Sequence, residues 1–435
     1  MGTSVDEAVS PLAEIERTVQ ERAKGISLRM SEPGGQALLR AIIVDEVTRW
    51  NDDHRRGQRA LALPDPDAVV ERAFRNLARY GPLTPLLADD DVWEIMVNAP
   101  DAVFVRRHRG PSGYHDEVFH DDDHVVRILT KLLDDASSAH RSLDPAEGLQ
   151  DAQLDDGARV HIVHGDIARG GHVLVNIRRF TGVAFRSLDE LVERGTLSGQ
   201  VADFLAACVR ARLSIVFAGP PGSGKTTLLS CATAELDPSL RVVVAEEVFE
   251  ADIPVPNVAQ MQTRAARADR PAVDLRRLVA GFLRMAPDVA VVGEVRDREA
   301  LPLLLTLSSG VTGYTTIHAG SARQALSRLR FICQLAGTAG GPPLSALNAL
   351  VSESIDVVVQ CARTPSGPRV TEVVTVEDLA GGADATHFTV TEVFRRPGRD
   401  EPLAWTGDVP VRAARPLADA GHDVRRLVEP RGAYR

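Results

Sequence analysis

Lysine is nearly absent from this sequence. Of fifty basic residues only Lys24, Lys131 and Lys225 are lysines; the rest are arginine. A GC-rich coding bias explains the surplus and makes each surviving lysine worth locating. Cysteine is scarce too. Cys208, Cys231, Cys333 and Cys361 form no C-x-x-C pair, which argues against a structural zinc site and leaves buried, reduced thiols as the simple reading. No apolar run approaches the ~20 residues needed to span a bilayer. The opening MGTSVDEAVS has neither the basic nor the apolar region of a secretory leader. The chain is therefore expected in the cytoplasm. A basic excess is also missing. The net charge is −10, which disfavours a sequence-blind grip on nucleic acid, although it leaves room for a local basic stripe.

What is present is the composition of a globular protein: 435 residues, 44% apolar and 25% charged, long enough for two or three domains. Residues 1–80 carry three amphipathic stretches, at 5–24, 35–50 and 65–80, the last opened by a capping Asp65-Pro66. They read as a small helical bundle, or as a loosely attached extension. From residue 81 the texture changes. Short strands at 92–98 and 102–107, a helix at 124–135, a hairpin around Asp155-Asp156-Gly157 and a strand at 173–180 make an α+β domain. From residue 213 strands alternate with helices: LSIVFAG, RVVVA, VAVVGE and GYTTIH, with a helix expected over 274–286. Such alternation predicts an α/β fold with a mainly parallel sheet covered on both faces. Further strand-like runs fall within 369–396, and the Pro/Arg/Ala-rich end is expected to be peripheral.

The strongest chemical signal is GPPGSGKTT: Gly219, Pro220, Pro221, Gly222, Ser223, Gly224, Lys225, Thr226 and Thr227. It fits G-x-x-x-x-G-K-[ST] and lies between a predicted strand and a predicted helix. There the backbone can wrap a phosphate, with successive N–H groups and a helix N-terminus facing the anion. Lys225 would reach the β- and γ-phosphates, and the Thr226 hydroxyl would face Mg²⁺. Downstream, VAVVGEVR ends an apolar strand in Glu294, followed by Arg296; a strand-end acid beside a P-loop suits metal holding or activation of the attacking water, and a solvent-facing carboxylate is the plain alternative. RVVVAEEVFE ends another strand in Glu246 and Glu247, with Glu250 following; these suit metal or water positioning, or are simply a charged loop. GYTTIH ends a fourth strand in His318, which could sense the γ-phosphate, bridge to a neighbouring subunit or be simply structural.

Taken in order, the P-loop, the paired acids, GEVR and TIH resemble the secretion-ATPase superfamily of type II and type IV secretion and pilus systems, and within it the CpaF/TadA-type branch of tight-adherence pilus assembly. The likeness covers about residues 70–380. It includes YGPLTPLLADDDVWEIMVNAPDAVFV at 80–105, Arg141, DAQLDDGARVHIV at 151–163, NIRRF at 176–180, SLDELVERGTLS at 187–198 and DLRRLVAGFLRMAPD at 274–288. The resemblance implies a RecA-like P-loop ATPase core at 186–390, preceded by an α+β N-terminal domain at 81–185 and an N-terminal helical bundle at 1–80, with a tail at 391–435. It places Glu246, Glu247 and Glu250 on the family's Asp box, Glu294 on Walker B and His318 on its His box. Arg141, Arg159 and Arg178 fall on the arginines that the N-terminal domain contributes, and Arg296 follows Walker B. The implied metal ligands are Thr226, Glu247 and Glu294, and the implied cofactors are ATP and Mg²⁺. The implied protein is a homo-hexamer that hydrolyses ATP and works on polytopic inner-membrane platform proteins from the cytoplasmic side without inserting. A nucleic-acid motor and a nucleotide-gated scaffold without turnover are the alternatives. The sequence departs from the branch at Pro220-Pro221, Glu247, Ala286, Asp297 and Gly320.

Overall fold

The computed structural model describes residues 10–24, 33–108, 110–136, 143–179, 185–264, 266, 271–336, 342–364, 367–380, 387–398 and 401–429. The chain divides into two compact units, 1–181 and 182–435.

The first unit begins with helices α1 (Pro11–Ala23), α2 (Pro33–Arg55) and α3 (Pro66–Ala78). Their apolar faces, among them Ile15, Val19, Ile43, Val47, Trp50 and Phe74, close a core of their own. The Asp65 side chain accepts the Ala68 N–H and Pro66 occupies the first turn, so α3 starts where the capping chemistry predicts. After α4 (Leu83–Ala88) come β1 (Val92–Ala99), β2 (Ala102–Arg107), β3 (Gly113–Tyr114), α5 (Asp122–Asp135), β4 (Leu149–Gln153), β5 (Arg159–Val163) and β6 (Leu174–Arg178). The strands form an antiparallel sheet in the order β3-β2-β1-β6-β5-β4. One of its faces, carrying Ile95, Val97, Val103, Val160, Ile162, Val175 and Ile177, shares a core with Leu129, Leu132 and Leu133 of α5. The alternate residues, Arg159 and Arg178 among them, lie on the opposite face, as the period-two pleat requires.

The second unit runs α6 (Leu188–Glu193), α7 (Gly199–Arg210), β7 (Ile215–Ala218), α8 (Lys225–Thr233), β8 (Val242–Glu246), β9 (Val258–Gln262), α9 (Leu275–Val279), β10 (Val289–Val295), α10 (Ala300–Ser308), β11 (Thr312–Ile317), α11 (Ala322–Ala336) and α12 (Leu344–Ser354). It continues with β12 (Val357–Thr364), β13 (Gly367–Val376), β14 (Val390–Arg395), β15 (Ala404–Trp405), α13 (Ala414–Asp419) and α14 (Val424–Val428). Among the described residues, its nine strands join one sheet in the order β15-β14-β13-β12-β7-β11-β10-β8-β9. The six from β12 to β9 are parallel, and β13, β14 and β15 extend one edge antiparallel. Side chains alternate between two cores. Ile215, Phe217, Val242, Val244, Val289 and Val291 face α7 and α8; Val216, Ala218, Val243, Ala245, Ala290 and Val292 face α10 and α11. The expected α/β class is the one observed.

Three details differ from the sequence reading. The helix expected over 274–286 stops at Val279, and a separate 3-10 turn covers Phe282–Met285. Gly281 lies between them, and glycine in a helix interior is poorly favoured. The strands β9 and β12 carry no clear signal of their own. Finally, the end of the chain is not peripheral over its described residues. Leu403, Leu417 and Val428 are buried in the core on the α7 side, and β14 begins at Val390, so the predicted boundary at 391 cuts through a strand. No helix among the described residues is long and apolar enough to cross a membrane.

Candidate nucleotide site

The P-loop spans the gap between the end of β7 and the start of α8, and its backbone needs glycine. Gly219 sits at φ 152°, and a Cβ there would come within 2.4 Å of the Cys361 carbonyl oxygen on β12 and 2.6 Å of Ser223 Oγ. Gly224 adopts the left-handed conformation that lets the loop turn into α8. Lys225 opens that helix and is buried. Its ammonium is held close to the loop, with Nζ donating to the Pro220 carbonyl oxygen at 3.1 Å.

Around this lysine the sheet's strand ends gather the other predicted residues. His318 follows β11, the strand beside β7. Its Nδ1 lies 3.3 Å from Lys225 Nζ and 3.1 Å from the Gly219 carbonyl oxygen. Its Nε2 lies 2.7 Å from Glu294 Oε1 on β10. Burial, then the nearby Lys225 charge, push the His318 pKa below its ordinary value, so the ring is neutral at neutral pH. A neutral ring has one N–H: on Nε2 it donates to Glu294 and leaves Nδ1 to accept from Lys225, and on Nδ1 it donates to the Gly219 carbonyl instead. Arg296 closes the chain of contacts. Its Nη2 lies 2.7 Å from Glu294 Oε2 and its Nη1 3.1 Å from Glu247 Oε2. Burial raises the Glu294 pKa, but the Arg296 hydrogen bond and the charges of Arg296 and Lys225 outweigh it and hold the carboxyl below its usual range. Glu294 is therefore ionised at neutral pH.

Glu246 has a different post from Glu247. Only 1% exposed, it turns its Oε1 to accept the backbone N–H groups of Glu250 and Ala251, at 3.0 and 2.9 Å. It thereby shapes the loop on which Glu247 and Glu250 stand. Gly293 admits it, since a Cβ there would meet Glu246 Cγ at 2.8 Å. The chain of contacts thus joins Lys225, His318, Glu294, Arg296 and Glu247 directly. Thr226 and Thr227 follow Lys225 in the first turn of α8, and Gly222 and Ser223 complete the loop, with Ser223 buried. Arg159 and Arg178 lie in the first unit, on β5 and β6, as Cα partners across the strand pair. Arg141 lies outside the described residues.

Two positioning residues escaped the sequence reading. Glu299, 5% exposed, accepts the backbone N–H groups of Arg296 and Asp297 at 2.5 and 2.8 Å and fixes the turn after β10. Gln360 on β12, also 5% exposed, donates from Nε2 to the Ala319 carbonyl at 3.1 Å and so fixes the residue after His318. A lone amide in the apolar run VVVQCA is the signal that could have found Gln360; Glu299, among the acids and arginines that follow GEVR, carries none.

The family model described as type II/IV secretion system protein matches residues 76–378. A putative conjugal transfer protein of Mycobacterium tuberculosis, Rv3659c, is 31% identical over 318 residues, covering 71% of this chain and 88% of its own. The type IV secretion system protein PtlH of Bordetella pertussis is 32% identical over 326 residues, covering 69% and 93%. Among solved structures, the VirB11 ATPase from the Brucella suis type IV secretion system, in complex with sulphate, is 26% identical and covers 67% of this chain and 94% of that one, with a TM-score of 0.37.

Proposed function

Because the chain belongs to the type II/IV secretion system protein family, we propose that it is an ATPase that powers a secretion or pilus-assembly system. The observation that carries this reading is the chain of contacts from Lys225 through His318 to Glu294, Arg296 and Glu247, built at the mouth of a P-loop. In it each group has a task. Lys225 would leave the Pro220 carbonyl for the β- and γ-phosphates, joined by the loop's N–H groups and the N-terminus of α8. Glu294, ionised and aimed by His318, would orient and deprotonate the attacking water. Neutral His318 would relay between Glu294 and the lysine, so that a phosphate arriving at Lys225 is felt at the acid.

The residues fit Mg²⁺. Glu294, Glu247 and the Thr226 hydroxyl are hard oxygen donors, fewer than a full cage, which suits a cation that keeps several waters and takes its remaining ligands from phosphate. Bound there, Mg²⁺ would neutralise charge on the transferring phosphoryl group.

The finer reading is a homo-hexamer driving tight-adherence (Flp-type) pilus assembly from the inner face of the membrane, through polytopic platform proteins. It rests on the resemblance of residues 80–105, 151–163 and 176–180 to that branch. In the same reading Arg141, Arg159 and Arg178 serve the transition state. The test is ATP turnover by the purified full chain beside Glu294→Gln. Metal-dependent turnover that falls on the order of 10²-fold or more in the variant, with nucleotide still bound, supports the proposal. Equal background rates in both chains overturn it, and strong stimulation by DNA would replace it with a nucleic-acid motor.

A further inference from the structure

Arg296 touches both carboxylates that the nucleotide reading gives to the metal. Its two terminal nitrogens lie 2.7 Å from Glu294 Oε2 and 3.1 Å from Glu247 Oε2. These acids come from different elements: Glu294 from β10, and Glu247 from the loop after β8. The guanidinium is thus the positive charge that faces both anions in the free chain.

We infer that Arg296 is an internal counter-cation that keeps the divalent-metal position closed, and that a metal ion binds there only by displacing its guanidinium. The inference rests on the proposed nucleotide site. A divalent cation would need the same two carboxylate oxygens, and a cation bound there would repel the guanidinium at short range. The side chain is also built to leave. Its exposed half (48%) can return to water, and exposed ion pairs hold weakly. The backbone, by contrast, stays fixed, because Glu299 accepts the N–H groups of both Arg296 and Asp297. Arg179 shows the opposite design: its Nη1 donates to the carbonyl oxygens of Leu86, Asp89 and Val92, a lock with no exit. Arg296 is therefore a side chain that swings on a fixed pivot, so metal entry releases a cation rather than merely filling a gap.

The test uses Mn²⁺ as the probe, titrated against the full chain and followed by the loss of its free electron-paramagnetic signal, with and without ADP. Arg296→Gln, which removes the charge and shortens the side chain while keeping a polar end, is expected to bind Mn²⁺ about tenfold tighter than the parent chain. In the double variant Arg296→Gln/Glu247→Gln that gain disappears. Arg298→Gln removes an equal, exposed charge two residues away and is expected to change Mn²⁺ affinity less than about threefold. Unchanged or weaker Mn²⁺ binding by Arg296→Gln overturns the inference, as does an equal gain in Arg298→Gln. A separate ADP titration in EDTA tests the nucleotide reading. If ADP fails to bind, that reading falls, while the Mn²⁺ comparison on the nucleotide-free chain still decides the role of Arg296.

Discussion

His318 and Glu294 meet across neighbouring parallel strands, with Nε2 of the imidazole 2.7 Å from Oε1 of the carboxylate. The other face of the ring reaches the P-loop lysine at 3.3 Å. Removing the imidazole should therefore uncouple acid and lysine without emptying the site. His318→Ala is expected to lower kcat on the order of 10²-fold while nucleotide affinity changes less than about tenfold, because Lys225 keeps the loop and the phosphate. Turnover and a binding titration measured on the same preparation check the split; an affinity loss as large as the kcat loss would make His318 a binding residue.

Gly219→Ala tests the loop's entry. The new Cβ would press on the Cys361 carbonyl oxygen, a backbone atom of β12 that also accepts from Gln360 Nε2, at a φ that L side chains rarely adopt. Relief requires moving β12 or the loop. The expected outcome is loss of nucleotide binding by about tenfold or more, with ~1–3 kcal/mol of destabilisation. Calorimetric binding and urea unfolding measure the two effects.

Arg178 sits on β6 opposite Arg159 on β5 and Glu94 on β1. On the proposed reading it completes the transition state rather than the ground state. Arg178→Ala is then expected to reduce kcat by about 10²-fold or more while ATP affinity moves far less. A loss confined to affinity would remove it from that role.

The first unit should carry a pH dependence of its own. His124, 1% exposed at the start of α5, accepts the His120 N–H at Nδ1. Burial, helped by the nearby positive charge of Arg127, lowers its pKa from 6.5 to about 3. Below pH 6.5 the unfolded chain takes up a proton there that the folded chain refuses until about pH 3, so stability falls as pH drops through that window. The loss is ~1.4 kcal/mol per pH unit at most, about 2 kcal/mol between pH 6.5 and 5. His124→Gln should flatten that part of the profile. Urea midpoints of both chains at pH 7 and pH 5 check it; parallel loss in both would assign the acid sensitivity elsewhere.

Much of this was legible in the residues. Local chemistry is enough to place a glycine-rich loop between an apolar strand and a helix, and to put acids and a histidine at the ends of β8, β10 and β11. These signals are short, and they depend on backbone conformation and side-chain period rather than on distant partners. The caps at Asp65, Ser187 and Ser198 are of the same kind.

Other features exist only because the sheet brings distant segments together. Strand β12 lies beside the P-loop strand although some 140 residues separate them, and an apolar run like VVVQCA does not say whom it will pair with. The short helices after Ala413 look peripheral because each has only a few apolar residues, yet Leu417 and Val428 are fully buried against the core. The residues proposed for the chemistry were picked out from the sequence alone. Tertiary structure decided their posts: Glu246 turned inward to hold a loop, Glu247 paired outward to Arg296, and His318 set between lysine and acid. Neighbouring carboxylates look alike in the sequence, and only the direction in which each strand end delivers them separates a structural acid from one that meets a cation.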